Sequence, residues 1–372
     1  MRVGIDCRLP YYQMGGISQY ILQLLPALAV LDKENEYLIF HSRKDGRSYL
    51  PPHAPNFRPV DLWTPCHHRL ERWSLSAELL PYNLDIYHSP DFIPPQWGGK
   101  KQAITIHDLN FLYYPQFLTA DSRRYYAGQI EWAVRRADHV SADSHHTRQD
   151  LIERLNVPAE QVTAVPLAAN PVYSRPQLEG AVRETLADFN LPSGFLLFVG
   201  TLEPRKNVPL LLAAYHQLLQ EKVTDLPLVL VGRKGWLYDE IFDQIKQLDL
   251  EKQVRHLTGV NDDRLAHLYS AASLLALPSF YEGFGLPPLE AMHCGCPVIV
   301  SDRGSLPEIV GQAGIILPPE RPEAWASAMT QLLTDEARRQ EMIANGYIQA
   351  EKFSWQTAAA QTVEIYQNLT LT

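Results

Sequence analysis

Residues 281–297 read YEGFGLPPLEAMHCGCP. Two carboxylates, Glu282 and Glu290, stand eight positions apart, with Gly283 and Gly285 after the first and Pro287 and Pro288 before the second. Glycines there let the backbone approach a ligand and turn sharply, and Pro287 suits the first position of a helix, where its missing N–H costs nothing. A helix starting at this point carries a partial positive charge and unpaired amide donors, which favour a phosphate. Glu290 falls in the expected first turn, where its carboxylate points toward neutral hydroxyls beside that anion. An anion next to polyols describes a nucleotide sugar. The competing reading is that Glu290 only offsets the helix dipole and Glu282 is a solvated loop acid.

Outward from this stretch, short β-branched or apolar runs alternate with helical patterns. Strands are expected at residues 3–6, 37–41, 85–88, 103–107, 140–143 and 162–166, with helices at 17–31, 121–136 and 144–156. Residues 168–194, with Pro171, Pro176 and Pro192, lose the pattern and read as a connector. A second series begins at Phe195 (FLLFVG) and continues at 228–232, 254–258, 274–278 and 298–301. Such alternation marks a parallel sheet with helices on both faces. The expectation is an α/β protein of two doubly wound, Rossmann-like domains, residues 1–170 and 171–354, with the ligand in a central cleft at the carboxyl ends of the strands. Residues 321–372 read as helical, with Trp325 and Trp355 as anchors.

A chain of 372 residues, 46% hydrophobic and 20% charged, suits two globular domains, each with its own core. No apolar run approaches the ~18 residues of a membrane span. The opening MRVGIDC reads as a strand and not a signal peptide, so the cytoplasm is the expected compartment. Cys7 and Cys66 stand alone, and Cys294 and Cys296 are too close in sequence to bridge easily. Packing is favoured there over a metal site on His293, Cys294 and Cys296, because no second ligand pair follows at zinc spacing. Residues 1–170 carry 17 Lys+Arg against 18 Asp+Glu and residues 171–372 carry 16 against 24, so neither half suits nucleic acid. His67-His68-Arg69, Arg123-Arg124 and Arg135-Arg136 are candidates for peripheral contact with anionic lipid, against the plainer reading of solvated surface.

The two acids and the glycines between them resemble the Glu-x7-Glu signature of retaining glycosyltransferases with the two-domain GT-B fold, in the GT4 family of bacterial mannosyl-, glucosyl- and rhamnosyltransferases. Further segments carry the same resemblance. Met14-Gly15-Gly16-Ile17-Ser18-Gln19-Tyr20, behind Asp6 and Arg8, is similar to the family's Asp-x-Arg…Gly-Gly-Ile-x-x-Tyr opening, although some relatives have Gly at Ser18 and Arg at Gln19. QAITIHDLNFLYYP, a buried strand ending at His107-Asp108, is similar to His-Asp-Leu-x-Phe. Ser144 and Thr147 resemble a Ser-x-x-(Ser/Thr)-Arg helix start, where capping alone explains Ser144. FLLFVGTLEPRKNVPLLLAAY resembles Val-Gly-Thr-x-Glu-x-Arg-Lys-Asn, with Arg205 and Lys206 directly after a strand.

The resemblance implies roles. Gly15 and Gly16 touch the donor phosphate or sugar, and His107 meets the transferred sugar through its imidazole or main-chain oxygen; the alternative is a histidine held from behind by Asp108. Gly200, Gly232 and Arg233 line the nucleotide pocket, and main-chain atoms near Val260 read the base. Glu282 bonds sugar hydroxyls, the loop amides of Gly283, Phe284, Gly285 and Leu286 meet phosphate, and Glu290 takes the ribose hydroxyls. Arg205 and Lys206 neutralise a departing diphosphate. No Asp-x-Asp pair occurs in the chain, so these cations and the helix start stand in for a metal, and no cofactor is expected. In GT-B enzymes the last helix crosses back to the first domain, here about residues 355–372. Together these imply a retaining, metal-independent transfer of a hexose from a UDP- or GDP-sugar to a glycan or lipid-linked acceptor. A nucleotide-sugar 2-epimerase or a non-catalytic glycan-binding protein of the same fold are the alternatives.

Overall fold

The computed structural model describes residues 1–12, 15–68, 70–117, 120–173 and 177–371, and omits the side chains of 120–125 and 127. Met14, Arg69, Pro176 and the side chains of the Arg123-Arg124 cluster thus lie outside the described residues. The chain divides into two compact units. The first comprises Met1–Tyr113, Ala120–Leu167 and Ser354–Thr372; the second comprises Tyr114–Thr119 and Ala168–Phe353.

In the first unit the strands are β1 (Arg2–Asp6), β2 (Glu36–Ser42), β3 (Phe57–Leu62), β4 (Leu84–Ser89), β5 (Gly99–Ile106), β6 (His139–Ala142) and β7 (Val162–Ala164). They form one sheet of order β3-β2-β1-β4-β5-β6-β7, parallel at every pairing. The second unit holds β8 (Leu196–Val199), β9 (Leu228–Val231), β10 (Val254–Leu257), β11 (Leu274–Leu277), β12 (Val298–Ser301) and β13 (Ile315–Leu317). Their order is β10-β9-β8-β11-β12-β13, again all parallel. β8, β9, β11 and β12 are buried at every position, as central parallel strands covered on both faces must be. Each order reverses once, at β1/β4 and at β8/β11, and that reversal opens a crevice at the strand ends where ligands bind.

Residues 168–194 are not a bare connector, because the helix Glu179–Asp188 lies within them. β3 and β13 escaped the sequence reading: both are edge strands, β3 with charged and proline positions in place of an apolar run and β13 an apolar run of only three residues. β3 carries Pro59, which an edge tolerates because it needs fewer ladder donors. The helix Trp355–Leu371 joins the first unit. Tyr366 Oη lies 2.6 Å from His88 Nδ1, and His88 Nε2 lies 2.9 Å from Thr105 Oγ1. Burial, with His107 nearby, pulls His88 down to about 3, so this ring stays neutral and its two bonds latch the helix to the sheet. Among the described residues no helix is long and apolar enough to cross a membrane.

Candidate active site

Polar groups collect beyond the carboxyl ends of β8 and β11. After β8 the chain passes Gly200 and enters a 3-10 turn, Pro204–Lys206, which Asn207 (φ 53) closes before the helix Val208–Gln220. After β11 the loop is tied to that turn by the Phe280 N–H, which donates to the Arg205 carbonyl at 2.8 Å. This tie brings three of the predicted residues together. Glu282 Oε1 accepts from Lys206 Nζ at 2.6 Å and from Ser279 Oγ at 2.6 Å, and Oε2 accepts from Arg205 Nη1 at 2.9 Å. Arg205 also donates to the Tyr281 carbonyl at 2.8 Å and, from Nε and Nη2, to Glu203 Oε1 at 3.0 and 2.7 Å.

The cluster is enclosed: Lys206 and Glu282 side chains are 9% and 8% exposed. Burial alone would raise the Glu282 pKa, but Lys206 and Arg205 outweigh it and hold the carboxyl at about 2. Glu282 is therefore an acceptor only, with no proton to give at neutral pH. Sequence reasoning missed Glu203, which with Glu282 brings two carboxylates against two cations. The signal was its place two residues before Arg205 in the same turn. It also missed Gly304 (φ 61), where a Cβ would lie 2.4 Å from the Glu282 carbonyl oxygen.

The helix beside this cluster spans Leu286–His293 and starts at Gly285, whose φ of 102 suits glycine. Pro287 is thus its second residue, and Glu290 its fifth, in the second turn and not the first. Of the first four helical residues Pro287 and Pro288 lack an N–H, so Leu286 and Leu289 alone supply first-turn donors. Glu290 Oε2 accepts from Tyr269 Oη at 2.9 Å. Burial, with Asp262 nearby, pushes Glu290 up to about 7 despite that bond. Gly283 and Phe284 are buried, and the Phe284 carbonyl accepts from Ser305 Oγ at 2.5 Å.

Gly200 (φ 156) and Gly232 (φ 151) lie against each other, so that a Cβ on Gly232 would stand 1.9 Å from the Gly200 oxygen. Their close approach is used by the protein's own backbone. Arg233 next to them is exposed, and Val260, three residues past β10, is half-buried.

In the first unit Gly15 caps the helix Gly16–Leu31 in an extended conformation. Among the described residues, beyond its own helix and chain neighbours, a Cβ on Gly16 would meet nothing within 4 Å, so those residues do not demand a glycine there. His107 is held differently from the expectation. Its Nδ1 bonds Asp143 Oδ2 at 2.6 Å and its Nε2 donates to the Pro90 carbonyl at 2.8 Å, whereas Asp108 Oδ1 turns to Asn110. Burial opposes the charged ring, but Asp143 and the carbonyl prevail and push His107 up to about 9. Both nitrogens are committed, which leaves its main-chain oxygen as the group to meet a ligand. Ser144 caps the helix His145–Leu155 by accepting from the Thr147 N–H. Among the described residues no group of three or more His, Cys, Asp or Glu is placed to hold a metal ion.

Two parallel α/β units of this strand order, with an acid-base cluster at the reversal of the second sheet, define the GT-B glycosyltransferase architecture. Residues 14–172 match the family described as Glycosyltransferase Family 4, and residues 187–349 match Glycosyl transferases group 1. The chain is 32% identical to the O-antigen chain mannosyltransferase B of Escherichia coli, over 96% of its own length and 97% of that protein's. Among solved structures, sucrose-phosphate synthase from Thermosynechococcus elongatus superposes with a TM-score of 0.78 at 24% identity, covering 99% of this chain and 98% of that one. Anabaena HepE in complex with UDP-glucose gives 0.74 at 17% identity, covering 99% of this chain and 100% of the other. The chain belongs to the GT4-type glycosyltransferases.

Proposed function

We propose that this glycosyltransferase moves a hexose from a UDP- or GDP-sugar to a glycan or lipid-linked acceptor, with retention of anomeric configuration and without a bound metal. The observation that carries the reading is the Glu282–Arg205–Lys206 cluster at the β8/β11 reversal. Mannose is the favoured hexose, since the relative similar over nearly the whole chain is named a mannosyltransferase. HepE, which has the same fold, was solved with UDP-glucose, which favours a nucleotide-sugar donor. In this reading the second unit takes the donor and the first the acceptor.

The chemistry follows from what the side chains can do. Glu282, ionised and acceptor-only, orients sugar hydroxyls. Arg205 and Lys206 stabilise charge as the bond from C1 to the diphosphate oxygen breaks. The acceptor hydroxyl approaches C1 from the same face, its oxygen forms the new bond, and its proton passes to the departing phosphate oxygen. No side-chain base is required, in keeping with a Glu282 that, held at about 2 with both oxygens engaged by Arg205, Lys206 and Ser279, is too weakly basic for the role, and a His107 whose nitrogens are both engaged. A carboxylate nucleophile is disfavoured because both Glu282 oxygens already serve cations. Glu290 accepts from the ribose hydroxyls, and Gly15, Gly16 and the Leu286 amide lie against the donor.

The test is a thermal-shift and hydrolysis panel of nucleotide sugars, followed by transfer assays with EDTA and NMR of the product anomer. One UDP- or GDP-hexose should stabilise the fold and turn over in EDTA with retention. Transfer abolished by EDTA refutes metal independence, and an inverted product refutes the front-face mechanism.

A further inference from the structure

The two acids of the central stretch are held in opposite ways. Glu282 sits between two cations, whereas among the described residues no Lys or Arg pairs with Glu290. Burial pushes the Glu290 carboxyl up to about 7 with no cation to offset it. A carboxylate kept half-buried against its own solvation marks a functional position. Its side-chain partner is Tyr269, whose hydroxyl donates to Oε2 at 2.9 Å.

Tyr269 is itself fixed on several sides. It is fully buried, and its ring meets Tyr173 edge-on, with centroids 5.8 Å apart at 74°. Tyr173 Oη donates to Asp262 Oδ1 at 3.4 Å, and Asn170 Nδ2 donates to Asp262 Oδ2 at 3.1 Å. Asp262 opens the helix Asp262–Ala271, which carries Tyr269 and which Asn261 caps by accepting from the Arg264 N–H at 3.0 Å. A further tie, between Thr185 Oγ1 and His267 Nδ1 at 2.8 Å, holds that helix to Glu179–Asp188. Packing alone would be met by phenylalanine, which buries no hydroxyl. What the phenol adds is a donor at a set point, aimed at a carboxylate 21 residues further on.

The donor restricts what Glu290 can bind. A tyrosine hydroxyl has one proton, and here it is committed to Oε2, while Oε1 accepts from no described residue. The ionised carboxylate therefore presents two acceptor positions side by side, Oε1 and the remaining lone pair of Oε2, in an orientation that Tyr269 holds. Hydroxyls on adjacent carbons, on one face of a ring, supply donors to both. Ribose has that pair at its 2′ and 3′ carbons, and 2′-deoxyribose lacks one member. A carboxylate free to turn would adapt to the single hydroxyl. A fixed one is left with an acceptor that has lost water and gained no partner.

We propose that Tyr269 is a positioning residue of the donor site: by fixing the Glu290 carboxylate it makes the enzyme select ribonucleotide over 2′-deoxyribonucleotide donors. The inference rests on the donor reading above. Titration calorimetry on the full chain at pH 8, above the Glu290 pKa, compares UDP and GDP with their 2′-deoxy forms. Wild type should bind the preferred ribonucleotide about ten-fold or more tighter than its 2′-deoxy form. In Tyr269→Phe that ratio should fall to about three-fold or less. Glu290→Asp keeps the charge but withdraws the carboxylate from the phenol, and should lower the ratio likewise. A ratio of two affinities on one folded preparation does not register lost stability, so a merely structural tyrosine would leave it unchanged.

Either variant decides the matter if the other fails to fold. The proposal is overturned if wild type binds the 2′-deoxy form as tightly as the ribonucleotide, or if a folded variant keeps the wild-type ratio. Binding without discrimination leaves the donor reading standing. A chain that binds none of the four nucleotides refutes the donor reading itself, and this inference with it.

Discussion

Glu282 neutralises two enclosed cations at once, so its removal has two separable effects. Glu282→Ala leaves Arg205 its Glu203 partner but takes from Lys206 the carboxylate it donates to, which should cost about 3 kcal/mol of stability in urea unfolding. Donor positioning should be lost with it, and transfer abolished. Arg205→Ala should lower kcat by about 10²-fold, and near wild-type turnover in either variant would remove that residue from the mechanism. Glu290 carries a pH prediction. Its folded pKa of about 7 lies above the ordinary 4.5, so its contribution to stability is full below about 4.5 and is lost as pH rises through about 7. Accepting ribose hydroxyls needs the ionised form, so nucleotide affinity should tighten about ten-fold at most between pH 6 and pH 8. Titration calorimetry of Glu290→Gln should show a flat profile over that range. His107 runs in the same direction over a higher pH range. With its pKa raised to about 9, its stabilising effect is full below 6.5 and lost as pH rises through 9, and its NMR shifts should not move between pH 6 and pH 8. Glu282, Arg205 and Lys206 were legible because each sits in a dense local motif. Asp143 and Tyr269 were not, since a partner 36 or 21 residues away leaves no local pattern.

Among the elements, the glycine loops separate into two kinds that look alike in sequence. Gly232→Ala would place a Cβ 1.9 Å from the Gly200 oxygen at a positive φ, and should destabilise the second unit by on the order of 3 kcal/mol. Gly16→Ala meets no atom of the described residues within 4 Å outside its own helix and chain neighbours, so its melting temperature should stay near wild type. A loss of transfer in that folded variant is the signature of a ligand lying over the loop, and unchanged kinetics would remove Gly16 from the donor site. Dipeptide composition cannot tell these cases apart, because the distinguishing neighbour comes from a different strand. The helix Leu286–His293 teaches the same lesson at its start: the paired prolines announced a helix, but Gly285 sets its first residue one position earlier than they implied. β3 was illegible because an edge strand whose middle positions are exposed carries neither alternation nor an apolar run.

At the scale of the molecule, the parallel architecture was readable because buried central strands are nearly continuous apolar runs, and these survive any uncertainty about their ends. What periodicity could not show was that both sheets reverse at equivalent places, and that the first unit takes its last helix from the far end of the chain. Deleting residues 354–372 strips His88 Nδ1 of Tyr366 and uncovers the face against the helix Gly16–Leu31. Hydrogen exchange should then rise throughout β1, β4 and β5 while β8, β9 and β11 keep their protection; equal loss in both sheets would contradict the assignment of that helix.

The same latch bears on how the protein is made. A ribosome emits β1 hundreds of residues before the segment bearing Tyr366. The second sheet is made before that segment and can mature during elongation, while the first must wait, partly uncovered, until the helix bearing Tyr366 emerges. Nascent chains should therefore recruit chaperones to their oldest residues and not to their newest.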